Sequence, residues 1–263
     1  MQLRLLALAV YFCTASMLPA QSASSSSSSS DKGQGTFVRR FSIGATLSVL
    51  GLSPLSGSST AATPISNATT TVITSASTTP ASSRIGYGLT AQVAITDHFA
   101  VAVGGYLRRL AYSSSSSVTT NATTFINGTS TTTTTTTSTN TRVDARLLDV
   151  PFALRYYGRG RHTPGPRWFV EGGGAWRDTP RLSSSRSTTD NSGALSCCTT
   201  NVVQPAHRRS RGFLGGAGAQ FIDPFGIRVV PEIRYTRWIS PIFDDPTTRT
   251  QRNQVEAALS LSF

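Results

Sequence analysis

The sequence predicts an all-β fold, an eight-stranded antiparallel transmembrane β-barrel with long Ser/Thr-rich loops, after a cleaved signal peptide. Stretches of roughly 10 to 14 residues alternate apolar and polar side chains, as half-buried strands do. The connections between these stretches are alternately long and short, which is typical of hairpins that cross a membrane. The alternation also continues to the last residue, in "VEAALSLSF". We therefore divide the chain into a signal peptide (residues 1–20), a Ser-rich disordered tether (21–36) and the barrel (37–263).

The N-terminal segment has the features of an export signal. Arg4 supplies a positive flank, and "LLALAVYFCTASMLPA" supplies a short apolar core that ends in small residues. This core is too short for a comfortable transmembrane helix. We place cleavage after Ala20, so Cys13 would leave with the signal. The following "SASSSSSSSDKGQG" has nothing to bury and is predicted to be a disordered tether.

The first half of the barrel contains four alternating stretches. They read "FSIGATLSVL", "RIGYGLTAQVAI", "FAVAVGGYLRRLAY" and "ARLLDVPFALRYY". In the first, Phe41, Ile43 and Leu47 share one face, while serine, glycine and threonine occupy the other. A long connection of about residues 51–82 follows the first stretch, and a tight "TDH" follows the second. Each stretch is therefore predicted to be one membrane-crossing strand.

The second half supplies four more strands. They read "RWFVEGGGAWR", the glycine-rich "GFLGGAGAQF", "IRVVPEIRYTRW" and the terminal stretch. Pro151 and Pro231 fall inside predicted strands, although proline cannot donate to a ladder. A closed barrel has no free edge, so we expect both prolines at a bulge or at a weak ladder position.

Two long connections are rich in serine and threonine. The segment "SSSSSVTTNATTFINGTSTTTTTTTSTNT" has no periodic apolar face and is predicted to be a low-complexity loop. The connection of about residues 178–210 carries Cys197 and Cys198, which rarely pair with each other when adjacent. They are either ordinary loop cysteines or a redox or metal-binding pair, and the first reading is favoured because no further Cys or His cluster has metal spacing.

The polar faces of the strands predict what fills the barrel. An interior formed by eight strands holds side chains and leaves no open channel. Both signs of charge occur on these faces, and buried charges must pair because an unpaired one is costly. The predicted interior charge network consists of Arg40, Arg84, Asp149, Arg155, Glu171, Arg228, Glu232, Arg234 and Glu256.

Aromatic residues near the ends of the strands predict two girdles at the lipid–water boundaries. The girdle on the proposed periplasmic side contains Phe41, Phe99, Tyr156, Tyr157, Trp168, Phe221 and Phe263. The girdle on the proposed outer side contains Tyr112, Trp176 and Trp238.

Three motifs carry a family resemblance. "LLDVPFALRYY", "VVPEIRYTRW" and "ALSLSF" resemble strands of the small bacterial outer-membrane β-barrel proteins related to the outer-membrane protein A barrel domain. The resemblance implies a location in the bacterial outer membrane. It also implies that Phe263 is the terminal signal read by the barrel assembly machinery. The long Ser/Thr segments depart from this family, and a shared fold implies no single activity.

No pattern in the sequence assigns a catalytic, cofactor-binding or metal-binding residue, so we expect neither an enzyme nor a cofactor. His98, His162 and His207 fall in turns or a loop, where a base for a serine nucleophile is a weak reading. The glycine-rich strands lack the lysine and helix of a phosphate loop, so glycine is expected to permit close packing in a narrow barrel. Asn67, Asn121 and Asn127 begin glycosylation sequons, which arise easily by chance in Ser/Thr-rich sequence.

The function classes left open are a structural or surface-interaction barrel, a narrow pore or transporter for small solutes and, more remotely, a lipid-modifying enzyme. The expected partners are outer-membrane lipid, the barrel assembly machinery and an unidentified surface ligand. The formal net charge of +12 invites a nucleic-acid reading. The charges are scattered and only 14% of residues are charged, so nucleic-acid binding is not expected.

Overall fold

A computed structural model describes residues 40–61, 64–66, 69–163, 165–191, 195–200, 203–223, 225–245 and 247–263. The predicted signal peptide (1–20) and tether (21–36) lie outside the described residues, as does Asn67. The regular elements in the described ranges are all β-strands. Within these ranges, no helix has the length and apolar character needed to cross a membrane.

Eight antiparallel strands form a closed barrel, and each predicted stretch lies in one of them. Each strand pairs with the next along the chain, and the last pairs with the first, which closes the barrel. The barrel strands are β1 (Phe41–Leu50), β2 (Ile85–Ala94), β3 (Phe99–Ile126), β4 (Thr129–Tyr157), β5 (Arg167–Thr189), β6 (Arg209–Ile222), β7 (Arg228–Trp238) and β8 (Asn253–Ser262).

The end of the chain is held in the seam between β8 and β1. Leu47 lies opposite Leu259, and Ala45 lies opposite Leu261. The Phe263 amide donates to the Ile43 carbonyl at 3.1 Å, and the Ile43 amide donates to the Phe263 carbonyl at 3.3 Å. The strict alternation of the last residues therefore accompanies the pairing that closes the sheet.

Both prolines lie where a ladder is interrupted, as expected. Between β3 and β4, the paired positions jump from Val103 opposite Phe152 to Tyr106 opposite Asp149, and Pro151 falls in the gap. Between β6 and β7, they jump from Gly218 opposite Glu232 to Phe221 opposite Val229, and Pro231 falls in that gap. On that side the neighbouring strand makes no ladder pair with the proline, so the missing N–H of the proline costs no ladder hydrogen bond.

The Ser/Thr-rich segment after the third stretch is not a loop, and this prediction was wrong. β3 and β4 continue past the barrel as a long hairpin, which turns at Asn127 and Gly128 with φ of 49° and 79°. Positive φ at both central residues is the geometry of a tight hairpin turn. Threonine is β-branched and therefore favours a strand even where apolar residues do not occupy every second position. An apolar period of two is therefore a poor detector of such strands.

Further strands widen this hairpin into a sheet, here called the extension. The outer parts of β3, β4 and β5 form its centre. Thr70–Pro80 pairs with β3, and the short strands Ser59–Ala61 and Ile65–Ser66 pair with Thr70–Pro80. On the other side, Leu195–Thr200 pairs with β5. A separate three-stranded sheet joins Leu55–Gly57, Thr248–Thr250 and Asp244–Asp245.

An apolar cluster lies at the end of the barrel interior that adjoins the extension. Leu55, Ile242 and Phe243 come from the long connections. They pack on inward-facing side chains of β3 and β4, among them Leu110 and Val143. The Phe243 amide donates to the Thr250 hydroxyl at 2.9 Å, which is a hydrogen bond within the connection between β7 and β8. This cluster is a conventional hydrophobic core and closes that end of the interior.

Candidate functional site

The barrel is polar inside and apolar outside, which β4 shows along its length. Its inward side chains run from Tyr157 through Arg155 and Asp149 to Leu147 and Val143. Because successive strand residues face opposite sides, each inward residue lies about 6.8 Å from the next. The interior is therefore layered, with an aromatic base, two charged layers and the apolar cluster.

The charged layer near the base is a closed set of four side chains, here called the Arg–Glu ring. Arg155 Nε donates to Glu171 at 2.8 Å, and Arg234 Nε donates to the other oxygen of Glu171 at 2.9 Å. Arg234 Nη2 donates to Glu232 at 2.6 Å, and Arg155 Nη2 donates to the second oxygen of Glu232. Each carboxylate bridges both arginines, and each arginine bridges both carboxylates.

Neutral side chains complete the surroundings of the ring. The Arg155 guanidinium lies 4.4 Å from the centre of the Phe169 ring, in cation–π contact. Arg155 Nη1 also donates to Gln92 Oε1 at 3.1 Å, and the Tyr157 hydroxyl donates to the same oxygen at 3.0 Å. These contacts hold the arginine in one orientation and satisfy donors that the glutamates do not reach.

The second charged layer is here called the Asp149 cluster. Arg177 donates to both oxygens of Asp149, from Nε at 2.5 Å and from Nη2 at 2.8 Å. Arg108 Nη1 donates to Asp149 at 3.1 Å, and Arg108 Nη2 donates to Glu256. Asp149 thus joins two arginines, and Arg108 joins two carboxylates.

Polar and aromatic neighbours hold the arginines of this cluster as well. Arg108 Nη2 donates to the Ser48 hydroxyl at 2.7 Å, and Arg177 Nη2 donates to Gln254 Oε1 at 2.7 Å. Trp238 Nε1 donates to the same glutamine oxygen at 3.0 Å. The Arg177 guanidinium lies 3.9 Å from the centre of the Trp238 ring. Such bidentate and stacked contacts favour arginine over lysine at these positions.

Each charged layer contains two arginines and two carboxylates, and their side chains are at most 7% exposed. Their formal charges cancel within the layer. Buried charges are tolerated only with good geometry and further hydrogen bonds. The Arg–Glu ring meets that condition, whereas in the Asp149 cluster the buried Nε of Arg108 has no hydrogen-bond partner among the described residues. The arrangement can act as a charge-neutral filling that ties facing walls of the barrel together.

Glycines on the inner face make room for these long side chains. A Cβ added at Gly86 would lie 2.4 Å from Arg108 Nε, and one at Gly216 would lie 2.9 Å from a carboxylate oxygen of Glu171. Both distances are closer than real Cβ contacts permit. The expectation that strand glycine serves close packing in a narrow barrel is confirmed at these two positions.

Most of the predicted charge network lies in the interior. The buried members are Asp149, Arg155, Glu171, Arg228, Glu232, Arg234 and Glu256. Arg40 and Arg84 do not belong to it, because both are exposed. Each directly precedes the first residue of a strand, β1 or β2, where the alternation of faces has not yet begun. Their inclusion was wrong for that reason.

Sequence reasoning missed Arg108 and Arg177, which hold the Asp149 cluster together. Arg108 shares strand parity with the buried Tyr106, and Arg177 shares parity with Glu171. Counting every second residue from a known inward position would have found both. Arg155 and Glu171, both members of the predicted network, face each other across β4 and β5 and form an ion pair.

Glu256 forms its ion pair with an arginine on a distant strand and not with the arginine beside it in the sheet. It lies opposite Arg234 in the register of β7 and β8. Its ion pair is nevertheless with Arg108 on β3, across the interior. Cross-strand adjacency alone therefore does not choose the partner. In a narrow barrel, a long side chain reaches the facing wall as easily as its neighbour.

Large apolar side chains cover the outside of all eight strands, and we call this surface the apolar belt. Each of these side chains is at least 40% exposed. Its members are Phe41, Ile43, Leu47, Val49, Ile85, Tyr87, Leu89, Val93, Phe99, Val103, Leu107, Phe152, Leu154, Tyr156, Trp168, Val170, Phe213, Phe221, Ile233, Tyr235, Val255, Leu259, Leu261 and Phe263.

The predicted girdles are confirmed in part. Phe41, Phe99, Tyr156, Trp168, Phe221 and Phe263 are exposed near the short-turn end. Tyr157 is buried inside, as are Tyr112 and Trp238 of the other proposed girdle, and Trp176 is partly exposed. Tyr157 shares parity with Arg155, and Trp238 shares parity with Arg234. Their place near a strand end was therefore the wrong criterion, because parity decides which face a side chain takes.

The three histidines lie outside the charged interior. His98 stacks on Tyr156 at 6.2 Å, His162 lies 3.6 Å from Asp97, and His207 Nδ1 lies 3.2 Å from the Pro241 carbonyl oxygen. Cys197 and Cys198 fall in the strand Leu195–Thr200, where a loop was expected. Among the described residues, no three His, Cys, Asp or Glu side chains are grouped to hold a metal ion.

Comparison of the chain with protein-family models found no match, and comparison with curated proteins found none either. The closed eight-stranded antiparallel barrel is compatible with a small outer-membrane barrel. The closer resemblance to the outer-membrane protein A barrel domain rests on the three sequence motifs and stays a prediction.

Proposed function

We propose that this chain is an outer-membrane β-barrel protein with a structural or surface-interaction role. The observation that carries the proposal is the reversed distribution of side chains. Charged groups such as Glu171 and Arg177 fill the interior, while Leu47, Leu89 and Phe152 are more than half exposed on the outside. A barrel that lies in water would keep its apolar side chains inside and its charged side chains outside. Exposed apolar patches of the extent seen here mark an interaction surface.

The energy of the apolar belt supports a lipid environment. Removing one large apolar side chain from water contributes about 1.5–3 kcal/mol. Every barrel strand contributes such side chains to the belt, so no single partner protein on one side would cover it. A bilayer surrounds a barrel completely and meets this need on all strands.

The two ends of the barrel support an orientation. Phe99, Tyr156 and Trp168 lie in contact near the short turns. The ring centres of Phe99 and Tyr156 are 5.3 Å apart, and those of Tyr156 and Trp168 are 6.4 Å apart. Amphipathic rings favour the lipid–water boundary. We place the short turns in the periplasm and the extension at the cell surface, where its hydroxyl-rich faces would meet envelope or external polymers.

The filled interior favours this role over a pore or transporter. The Arg–Glu ring, the Asp149 cluster and the apolar cluster occupy successive layers of the interior. Eight strands enclose only enough space for such side chains. The proposal includes recognition of Phe263 by the barrel assembly machinery, and it includes no catalytic residue, cofactor or metal.

Vesicle insertion tests the proposal. Protein refolded with phosphatidylcholine vesicles should float with them, resist alkaline extraction and retain a protease-resistant barrel after the extension is cut near Thr131–Thr137. Protein that stays soluble and unassociated would contradict the membrane assignment. Planar bilayers that contain the protein should show no steady conductance. A steady single-channel current would favour the narrow-pore alternative instead.

A further inference from the structure

Three arginines face outward side by side on neighbouring strands, and we call them the arginine row. Arg109 on β3 lies directly opposite Arg146 on β4, and Arg146 lies directly opposite Arg181 on β5. All three are exposed. Like charges placed directly opposite each other destabilise a sheet. The fold therefore gains nothing from this arrangement, and an anion would offset its cost.

The row lies at the upper edge of the apolar belt. Leu107 and Leu148 form the paired position two residues below Arg109 and Arg146. Two residues of a strand span about 6.8 Å. The headgroup layer on each side of a bilayer is about 5–7 Å thick. With Leu107 in the hydrocarbon, the guanidinium groups of the row reach the level of the lipid phosphates.

A surface cavity of about 860 Å³ adjoins the row and has two chemically different sides. Ile85, Tyr87 and Leu107 supply an apolar side. The other side carries the row and Arg208. Among the residues that the structure describes, Asp144 is the one carboxylate that lines the cavity. The Asp144 carboxylate accepts hydrogen bonds from Arg109 Nε at 3.0 Å and from Arg142 Nε at 3.4 Å. The remaining arginines therefore leave the cavity with an excess of positive charge.

We propose that the arginine row binds the phosphate group of a lipid in the membrane leaflet that adjoins the extension. The acyl chains of that lipid lie against Ile85, Tyr87 and Leu107. Arginine suits this task because its planar fork donates two parallel hydrogen bonds to phosphate oxygens. This inference rests on the proposed function, since it requires the apolar belt to lie in a bilayer. It adds a defined lipid site with a phosphate-bearing headgroup.

Electron spin resonance of spin-labelled lipids tests the site on the full-length chain folded into phosphatidylcholine vesicles. The measured quantity is the preference of the protein for spin-labelled phosphatidic acid over spin-labelled phosphatidylcholine. The wild-type protein should show a clear preference. Each arginine near an anionic headgroup contributes about fivefold in binding, so R109Q/R146Q/R181Q should lose about a hundredfold of that preference.

A matched control removes three exposed arginines that neither line the cavity nor contact Asp144. R186Q/R249Q/R252Q changes the net charge by the same amount and should keep the preference within about twofold. Equal loss in both triple variants would mean general charge attraction and would overturn the site. Full preference in the row variant would overturn it as well. Complete competition by inorganic phosphate would identify a soluble anion as the ligand and would also overturn the lipid assignment.

Two further measurements keep the inference separate from folding and from the proposed function. R146Q alone relieves the repulsion at the centre of the row, so it should fold as well as wild type and lose about fivefold of the preference. Wild-type protein that fails to float with vesicles overturns the proposed function and this inference with it. Insertion without any lipid preference overturns this inference alone.

Discussion

The barrel and the extension are continuous sheets of the same strands, yet different forces hold them. In the barrel, Arg155, Glu171 and Asp149 make buried, multiply bonded ion pairs that span the interior. In the extension, the side-chain contacts are exposed hydroxyl pairs, such as Ser75 with Ser117 and Thr123 with Thr132 at 2.8 Å and 3.1 Å. Specific buried ion pairs therefore stabilise the barrel, whereas backbone hydrogen bonds and a β-branched composition stabilise the extension.

This difference teaches where the chain tolerates change. A buried charge has one set of partners, and its removal leaves those partners unpaired in a dry interior. An exposed hydroxyl exchanges its partner for water at little cost. Substitutions in the extension should therefore cost less stability than substitutions in the charged interior of the barrel.

The largest effect is expected from breaking the Arg–Glu ring. Glu232→Ala should lower the free energy of unfolding by about 3–5 kcal/mol, because Arg155 and Arg234 each lose a carboxylate partner. Urea titration of the folded protein in detergent or lipid measures this loss. Asp144→Ala is the matched control, since it removes a partly exposed carboxylate and should cost no more than about 1 kcal/mol. Equal losses in the two variants would contradict the claim that buried ion pairs stabilise the barrel.

A smaller effect is expected at the seam of the barrel. Deleting Phe263 removes its two backbone hydrogen bonds with Ile43 and an exposed ring of the apolar belt. The deletion should destabilise the refolded barrel by about 1–3 kcal/mol, at about 0.5–1.5 kcal/mol for each hydrogen bond. It should also reduce the heat-modifiable, inserted form in cells more than it reduces synthesis. Unchanged stability and insertion would show that the terminal residue is dispensable.

A still smaller effect is expected from acid at the base of the extension. The Arg109 guanidinium hydrogen-bonded to Asp144 holds the pKa of that carboxyl below its usual value of 3.8. Its contribution is therefore fully present above that pH and is lost as pH falls through the lowered pKa. Because the pair is largely exposed to solvent, it contributes less than about 1 kcal/mol to the free energy of unfolding. Unfolding titrations of wild type and Asp144→Asn below pH 4 should converge, and a difference that grows on acidification would contradict the assignment.

The smallest effect on the barrel is expected from shortening the extension. Replacing residues 116–139 with Asn-Gly should leave a two-residue hairpin turn between Ser115 and Asn140, which face each other in the register. The free energy of unfolding of the barrel should change by less than about 1 kcal/mol, since the removed residues contribute mainly exposed contacts. Urea titration by tryptophan fluorescence measures it. A loss as large as that of Glu232→Ala would mean that the two regions fold as one cooperative unit.

The sequence by itself determined the number of barrel strands, their order and which face of most strands is charged. These properties depend on side-chain alternation, which is local and repeats over each strand, as in "VEAALSLSF" of β8. The inward position of Tyr157, Trp238, Arg108 and Arg177 was also readable from parity. For the two aromatic residues it was missed because proximity to a strand end was weighed above parity, and for the two arginines because every second residue was not counted from a known inward position.

Only the tertiary structure decided which charges meet. Glu256 pairs with Arg108 across the interior and not with Arg234 beside it, because closure of the sheet brings facing walls within reach of long side chains. The register shift opposite Leu147 likewise sets how β5 continues into the extension and brings Arg181 beside Arg146. Closure and bulges depend on pairing between distant residues, and no local pattern of apolar and polar positions records such pairing.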